Sequence, residues 1–203
     1  IRNLYLSYSL SNVAEEFKVI TITSSISSEG KSFLNAMLAE SGSKLGKKVL
    51  IIDADLRKPK MQKLFELENV IGLASLLTDK KLNWKDAIQK VENKNNLSVL
   101  TSGPKPPDSI RLLSSSEMKN LIDSIKDSNM FDLIILDLPP VLGMADASYA
   151  LKNIDCVALI CSLENVPREI PKEAARILKS NPYTSYVGLI VNEVNDKVSS
   201  TKP

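Results

Sequence analysis

Short, almost wholly apolar runs recur along this chain, separated by longer stretches in which apolar residues return at helical spacing. Lys18–Thr23 (KVITIT), Lys48–Asp53, Leu97–Thr101, Asp132–Asp137, Cys156–Ser162 and Tyr186–Val191 read as six strands. Residues 1–16 carry Leu4, Leu6, Leu10 and Val13 near helical spacing, continued by Phe17, and predict a first helix. Lys31–Leu45 predicts another, with Leu34, Met37, Leu38 and Leu45 on one face. Pro59 is expected to start a short helix through Phe65, and Leu73–Leu77 and Trp84–Val91 read as helical pieces in a more polar segment. Further helices are expected over Ser116–Ser128, Ala145–Lys152 and Pro167–Ser180. Ser102–Pro107 is a proline-stiffened loop. Strands that alternate with helices, and that are apolar on both faces, predict an α/β fold with a mostly parallel sheet and helices on either side.

Composition narrows the class. The 203 residues suit one domain, taken as 1–195, followed by a polar tail, 196–203. Charged residues make up 25% and apolar residues 43%, which is the balance of a globular chain. A net charge of +2 gives no basis for a nucleic-acid partner. There is no histidine, which excludes a Ser-His-Asp triad, a Cys-His pair and any His-ligated metal. Cys156 and Cys161 are five apart on one strand and so point to opposite faces, where they cannot readily bond to each other. The chain begins at Ile1 inside a helical pattern and is expected to be a piece of something longer.

The candidate chemistry lies at strand ends. Val49–Ile52 delivers Asp53 and, two residues on, Asp55; the alternation of an extended strand puts both carboxylates on one face. Carboxylates this close raise each other's pKa unless a cation intervenes. A second apolar strand ends on Asp137, and Leu138-Pro139-Pro140 stops its ladder. Ser25–Ser32 (SISSEGKS) follows the first strand and opens a helix, the setting of a phosphate-binding loop. Such a loop would offer Ser27, Ser28, Glu29, Gly30, Lys31, Ser32 and Phe33 to a nucleotide, with Lys31 reaching the β- and γ-phosphates and Ser32 binding Mg²⁺. Only Gly30 has free access to positive φ, so a nest here must hold serine in an unfavourable conformation. Ligands of open α/β sheets sit beyond the carboxyl ends of the strands, which is where the loop and the aspartates converge.

These motifs carry a resemblance. The chain is similar over nearly its whole length to the bacterial tyrosine kinases of capsule and exopolysaccharide export, P-loop ATPases related to the chromosome-partitioning and division-site ATPases. Ser25–Ser32 matches the family's Walker A, Ile51–Pro59 (IIDADLRKP) its Walker A′ and Leu133–Pro140 (LIILDLPP) its Walker B; Asp-x-Asp followed by L-R-K-P is the most specific of these. The resemblance implies an ATP- and Mg²⁺-dependent tyrosine autokinase. It implies Asp53 as the base, Asp55 and Asp137 as magnesium ligands with Ser32, Lys31 as the stabiliser of the transferred phosphoryl group, and Asn192 as a reader of adenine. It also implies a transmembrane polysaccharide co-polymerase adaptor, a homo-oligomer in which a neighbour's tyrosine-containing tail is the substrate, and a position at the cytoplasmic face of the bacterial plasma membrane.

The sequence departs from the family at three places. Ser27-Ser28 stand where Pro-Gly is common; Tyr5 stands in place of the second of two helix arginines, of which Arg2 is the first; and no tyrosine cluster follows the last strand. Arg57, Lys58, Lys60 and Lys63 form a basic cluster, either a solvated face or a contact for a neighbouring subunit or a γ-phosphate. Two other functions stay open: a nucleotide-switched ATPase that acts by assembly, against which Ile26 stands where such proteins usually carry an extra lysine, and a non-catalytic regulatory relative.

Overall fold

The computed structural model describes residues 17–143, 151–152, 154–162, 166–183 and 185–192. The expected helices at 1–16 and, for most of its length, 145–152 lie outside these residues, as do Arg2, Tyr5, Tyr8, Asp146, Tyr149 and the polar tail.

Seven strands form one sheet: β1 (Val19–Ser24), β2 (Val49–Asp53), β3 (Gln89–Lys90), β4 (Leu97–Leu100), β5 (Leu133–Asp137), β6 (Cys156–Ser162) and β7 (Ser185–Asn192). Their order is β3-β4-β2-β5-β1-β6-β7, and every pairing is parallel except β3 with β4. The helices are α1 (Lys31–Lys44), α2 (Met61–Leu64), α3 (Leu73–Thr78), α4 (Trp84–Ala87), α5 (Ser109–Leu113), α6 (Ser116–Asp127) and α7 (Glu169–Ser180), with a 3₁₀ turn at Val141–Gly143.

Alternation along the strands divides the core in two. On β2, Leu50 and Ile52 join Leu100, Ile134 and Leu136 against α3–α7. Val49 and Ile51 join Ile20, Val99 and Ile135 against α1 and α2. A sheet buried on both faces needs strands apolar at nearly every position, as β2 and β5 are.

Three expected helices differ in detail, and a further one, α5 (Ser109–Leu113), lies where none is expected. Trp84–Val91 is helical only to Ala87: Ile88 turns extended, and Gln89–Lys90 pairs with Val99 and Ser98 to close the sheet edge. The helix expected at Pro59 begins at Met61, because the N–H groups of Lys60 and Met61 are drawn to the Asp53 carboxylate and proline has none to offer. The buried face of α1 is made not by Leu34, Met37 and Leu45 but by Asn35, Ala36, Leu38, Ala39 and Gly42. Small residues there let the helix lie close over the sheet.

One feature of the topology prepares the site. The pairing of β1 with β6 runs to Ser24, but its pairing with β5 stops at Ile20 opposite Ile135. The strands therefore part toward their carboxyl ends. Asn35 fills the gap: Oδ1 accepts the Ile22 N–H at 3.0 Å and Nδ2 donates to the Ile22 carbonyl at 2.8 Å. Buried backbone groups left by the separation are thus satisfied.

Candidate active site

The loop from Ser25 to Gly30 leaves β1 and wraps the start of α1. Gly30 caps the helix with φ 96°, and Ser28 takes φ 74°. The second value is a strained one for serine, as the glycine-poor loop requires. A Cβ at Gly30 would be strained by the φ of 96° and would lie 2.9 Å from Asn192 Nδ2, which would have to shift.

Two side chains hold the loop in shape. Glu29 is buried, and its carboxylate accepts the Ile26 N–H at 2.8 Å and the Ser162 N–H of β6 at 3.2 Å. From β7, Asn192 Nδ2 donates to the Glu29 carbonyl at 3.2 Å. The sequence names Glu29 and Asn192 as nucleotide contacts; in this structure their visible partners are the loop and its neighbouring strand.

Lys31 leaves the first turn of α1 and is almost fully buried. Its Nζ lies 3.0 Å from Asp55 Oδ2, 3.3 Å from Asp137 Oδ1 and 3.1 Å from Ser32 Oγ. Asn35 Nδ2 donates to the same Asp137 oxygen at 2.9 Å. Asp137 Oδ2 is buried and has no hydrogen-bond partner among the described residues. Burial raises the pKa of Asp137, and Lys31, Ser32 and Asn35 oppose the rise.

Asp53 and Asp55 do not act as a face-sharing pair. The strand ends at Asp53, so the alternation that would align them stops there. Asp55 goes to Lys31, whereas Asp53 Oδ2 accepts from Lys60 N at 2.9 Å and Met61 N at 2.8 Å. Parallel register sets Asp53 directly beside Asp137. Burial, then the Asp137 charge, pushes the Asp53 pKa up to about 7, against the pull of the two N–H bonds and of Lys31. The like charge acting on Asp53 is thus a neighbour from another strand rather than Asp55. Asp53 Oδ1 is a second buried carboxylate oxygen without a hydrogen-bond partner among the described residues.

In front of these groups lies a cavity of about 390 Å³. Ser27, Ser28, Gly30, Lys31, Ser32 and Phe33 form one wall, and Asp55, Lys58, Lys60, Leu64 and Pro140 the rest. Sequence reasoning missed Asn35, Pro140 and Leu64. A polar residue amid an apolar helix face was the one available sign of Asn35.

Cys156 and Cys161 are both buried free thiols, and burial raises both pKa values, that of Cys156 to about 11. Among the described residues no helix is long and apolar enough to cross a membrane.

A phosphate-binding loop at the parting of two parallel strands, with a buried lysine held between acidic strand ends, defines a P-loop nucleotide-binding domain of the ATPase kind. Comparison with known proteins agrees. Residues 17–167 match the AAA domain family. The chain is 38% identical to the tyrosine-protein kinase YwqD of Bacillus subtilis over 191 residues, 94% of this chain and 78% of that one. Among solved structures, the chimerical protein CapA2B2 superposes with a TM-score of 0.83 at 31% identity, covering 96% of this chain and 82% of that one. The cell division protein MinD of Aquifex aeolicus superposes at 0.73 with 26% identity, covering 90% and 71%. The chain belongs to the bacterial tyrosine-protein kinase family.

Proposed function

We propose that this domain transfers the γ-phosphoryl group of ATP to tyrosine hydroxyls, its own protein's or a neighbouring subunit's, and thereby regulates the polymerisation and export of capsular polysaccharide or exopolysaccharide. The observation that carries the reading is Lys31, set at the P-loop mouth between Asp55 and Asp137. Phosphoryl transfer asks the protein mainly for positioning and charge stabilisation, and this cluster offers both.

The loop Ser27–Ser32 holds the phosphates, with Phe33 and Asn192 flanking the nucleotide. Lys31 stabilises charge on the transferred group. Ser32 Oγ, Asp55 and Asp137 are the oxygen donors suited to Mg²⁺, and the partnerless Oδ2 of Asp137 fits a ligand's role. When bound, the ion neutralises charge on the phosphates. Asp53 acts as the base: its pKa of about 7 suits proton acceptance near neutrality, and one of its oxygens is uncommitted. Lys60 and Met61 N–H groups tie that base to the α2 side of the cavity. The working assembly is a homo-oligomer at the cytoplasmic membrane face, joined to a transmembrane polysaccharide co-polymerase adaptor.

The test is transfer of labelled γ-phosphate from ATP to tyrosine by the full-length chain. Labelling is expected in the wild type and lost in Lys31→Met and Asp53→Ala. Equal labelling by wild type and Asp53→Ala removes Asp53 as the base. Steady ATP hydrolysis without phosphotyrosine, with nucleotide-dependent dimers, replaces the kinase with an assembly ATPase.

A further inference from the structure

Many surface lysines of this domain are matched by nearby carboxylates: Lys80 by Glu117, Lys126 by Asp155, Lys172 by Glu169. The segment after Asp55 behaves differently. From Leu56 to Phe65 it contains Arg57, Lys58, Lys60 and Lys63 and no acidic residue. None of the four makes an ion pair among the described residues, and Arg57 is turned to the Gly143 carbonyl at 3.2 Å. Lys58 and Lys60 line the cavity. The cavity's single lining carboxylate, Asp55, is already held by Lys31. The α2 wall therefore carries two uncompensated positive charges, opposite the wall built for phosphates.

Apolar surface is exposed at the same mouth. Phe33, on the P-loop side, is 59% exposed, and Leu64, on the α2 side, is 42% exposed. A flat aromatic ring entering between them would contact apolar surface on both sides, and aromatic pairs gain from such packing beyond the area they bury. A tyrosine so placed would carry its hydroxyl into the cavity that Asp55 lines.

We infer that the α2 wall is the acceptor seat and that Lys58 and Lys60 select tyrosines set in acidic sequence. This rests on the kinase reading. None of the chain's own tyrosines meets the requirement: Tyr5, Tyr8, Tyr183 and Tyr186 have no acidic residue within three positions, and Tyr149 has only Asp146. The preferred acceptor therefore lies outside these 203 residues. Complementary charge of this kind acts on encounter and register, and weakens with salt.

The experiment compares peptides of equal length in which one tyrosine is flanked by glutamates, by serines or by lysines. Phosphate transfer is measured at saturating Mg-ATP, and the KM for ATP separately. The wild type is expected to show a KM for the glutamate peptide about tenfold below that for the serine peptide, as two exposed charge pairs allow. The gap should close in the Lys58→Ser/Lys60→Ser double variant with the KM for ATP changed less than twofold, and Lys58→Glu/Lys60→Glu should prefer the lysine peptide. Both lysines are exposed, so the variants are expected to melt like wild type. Equal KM values for the wild-type peptides overturn the inference and leave the kinase reading intact. A double variant whose defect appears only in the KM for ATP assigns the lysines to the nucleotide and also overturns it. Tight ATP binding with no labelling of any tyrosine overturns both readings.

Discussion

Glu29 Oε1 accepts the backbone N–H of Ser162 at 3.2 Å, a bond between the phosphate loop and a strand 133 residues further along the chain. The other carboxylate oxygen holds the Ile26 N–H at 2.8 Å. One buried side chain therefore fixes both the shape of the loop and its distance from β6. Glu29→Ala removes one acceptor from the part-buried Ile26 N–H and one from the buried Ser162 N–H, at up to about 1–3 kcal/mol each. It is expected to lower unfolding stability by about 3 kcal/mol and to raise the KM for ATP severalfold, with a smaller change in kcat. Glu29→Gln keeps one acceptor oxygen and should fall midway. Urea unfolding and steady-state kinetics check this; a wild-type KM in Glu29→Ala refutes the bracing role.

Lys31→Met removes the cation between Asp55 and Asp137. Breaking a buried ion pair from one side costs about 3–5 kcal/mol, because the remaining charge is stranded. ATP binding and tyrosine labelling should be lost together with stability. Adding Asp55→Asn should recover part of the stability and none of the activity. Isothermal titration with Mg-ATP and chemical unfolding separate the two effects; a double variant less stable than Lys31→Met contradicts the electrostatic account.

Asp53 gives a pH dependence whose sign is fixed. Its folded pKa, about 7, lies above the ordinary 3.8, so the folded state holds the proton more tightly. The contribution of this group is fully favourable below about 3.8 and is lost as pH rises through about 7. Asp53→Asn keeps an oxygen for the Lys60 and Met61 N–H groups and turns an N–H donor to the Asp137 side. Without nucleotide or Mg²⁺, it is expected to be more stable than wild type at pH 8 by on the order of 2–4 kcal/mol, with the gain shrinking toward pH 5. Unfolding curves at the two pH values decide; a variant less stable than wild type at pH 8 is the contrary result.

Ser28 sits at φ 74°, where a non-glycine residue is strained by about 1–2 kcal/mol. Ser28→Gly relieves that strain but frees the unfolded chain, so a net stabilisation of about 0.5–1 kcal/mol is expected. Gly30→Ala should do the reverse, since φ 96° strains any side chain there and its Cβ would push Asn192 Nδ2 aside. Thermal melting of the two variants should show opposite shifts.

The sequence made visible what repeats or alternates locally. Apolar runs marked six strands, and Gly30-Lys31-Ser32 after a strand marked the loop. What it concealed depends on distant pairing. The partnership of Asp53 with Asp137 is a matter of strand register across 84 positions, so proximity in sequence pointed wrongly to Asp55. Asn35 reaches the Ile22 backbone and Asp137 because β1 and β5 separate, which no local pattern announces. The small-residue face of α1 defeated a reading that looked for large apolar side chains. Gln89–Lys90, two residues long, is defined by its partner strand alone.

The way Lys31 is shared has a consequence for the order of binding. Its charge is shared between Asp55 and Asp137, the oxygen donors that the proposed function assigns to the cation. Under that assignment a free nucleotide would take the lysine and bare two carboxylates, and a free divalent cation would meet the lysine already among its donors. Arriving together, they let every charge change partner without leaving one alone. On the proposed function, this arrangement would make nucleotide and cation mutually dependent ligands, each raising the affinity for the other.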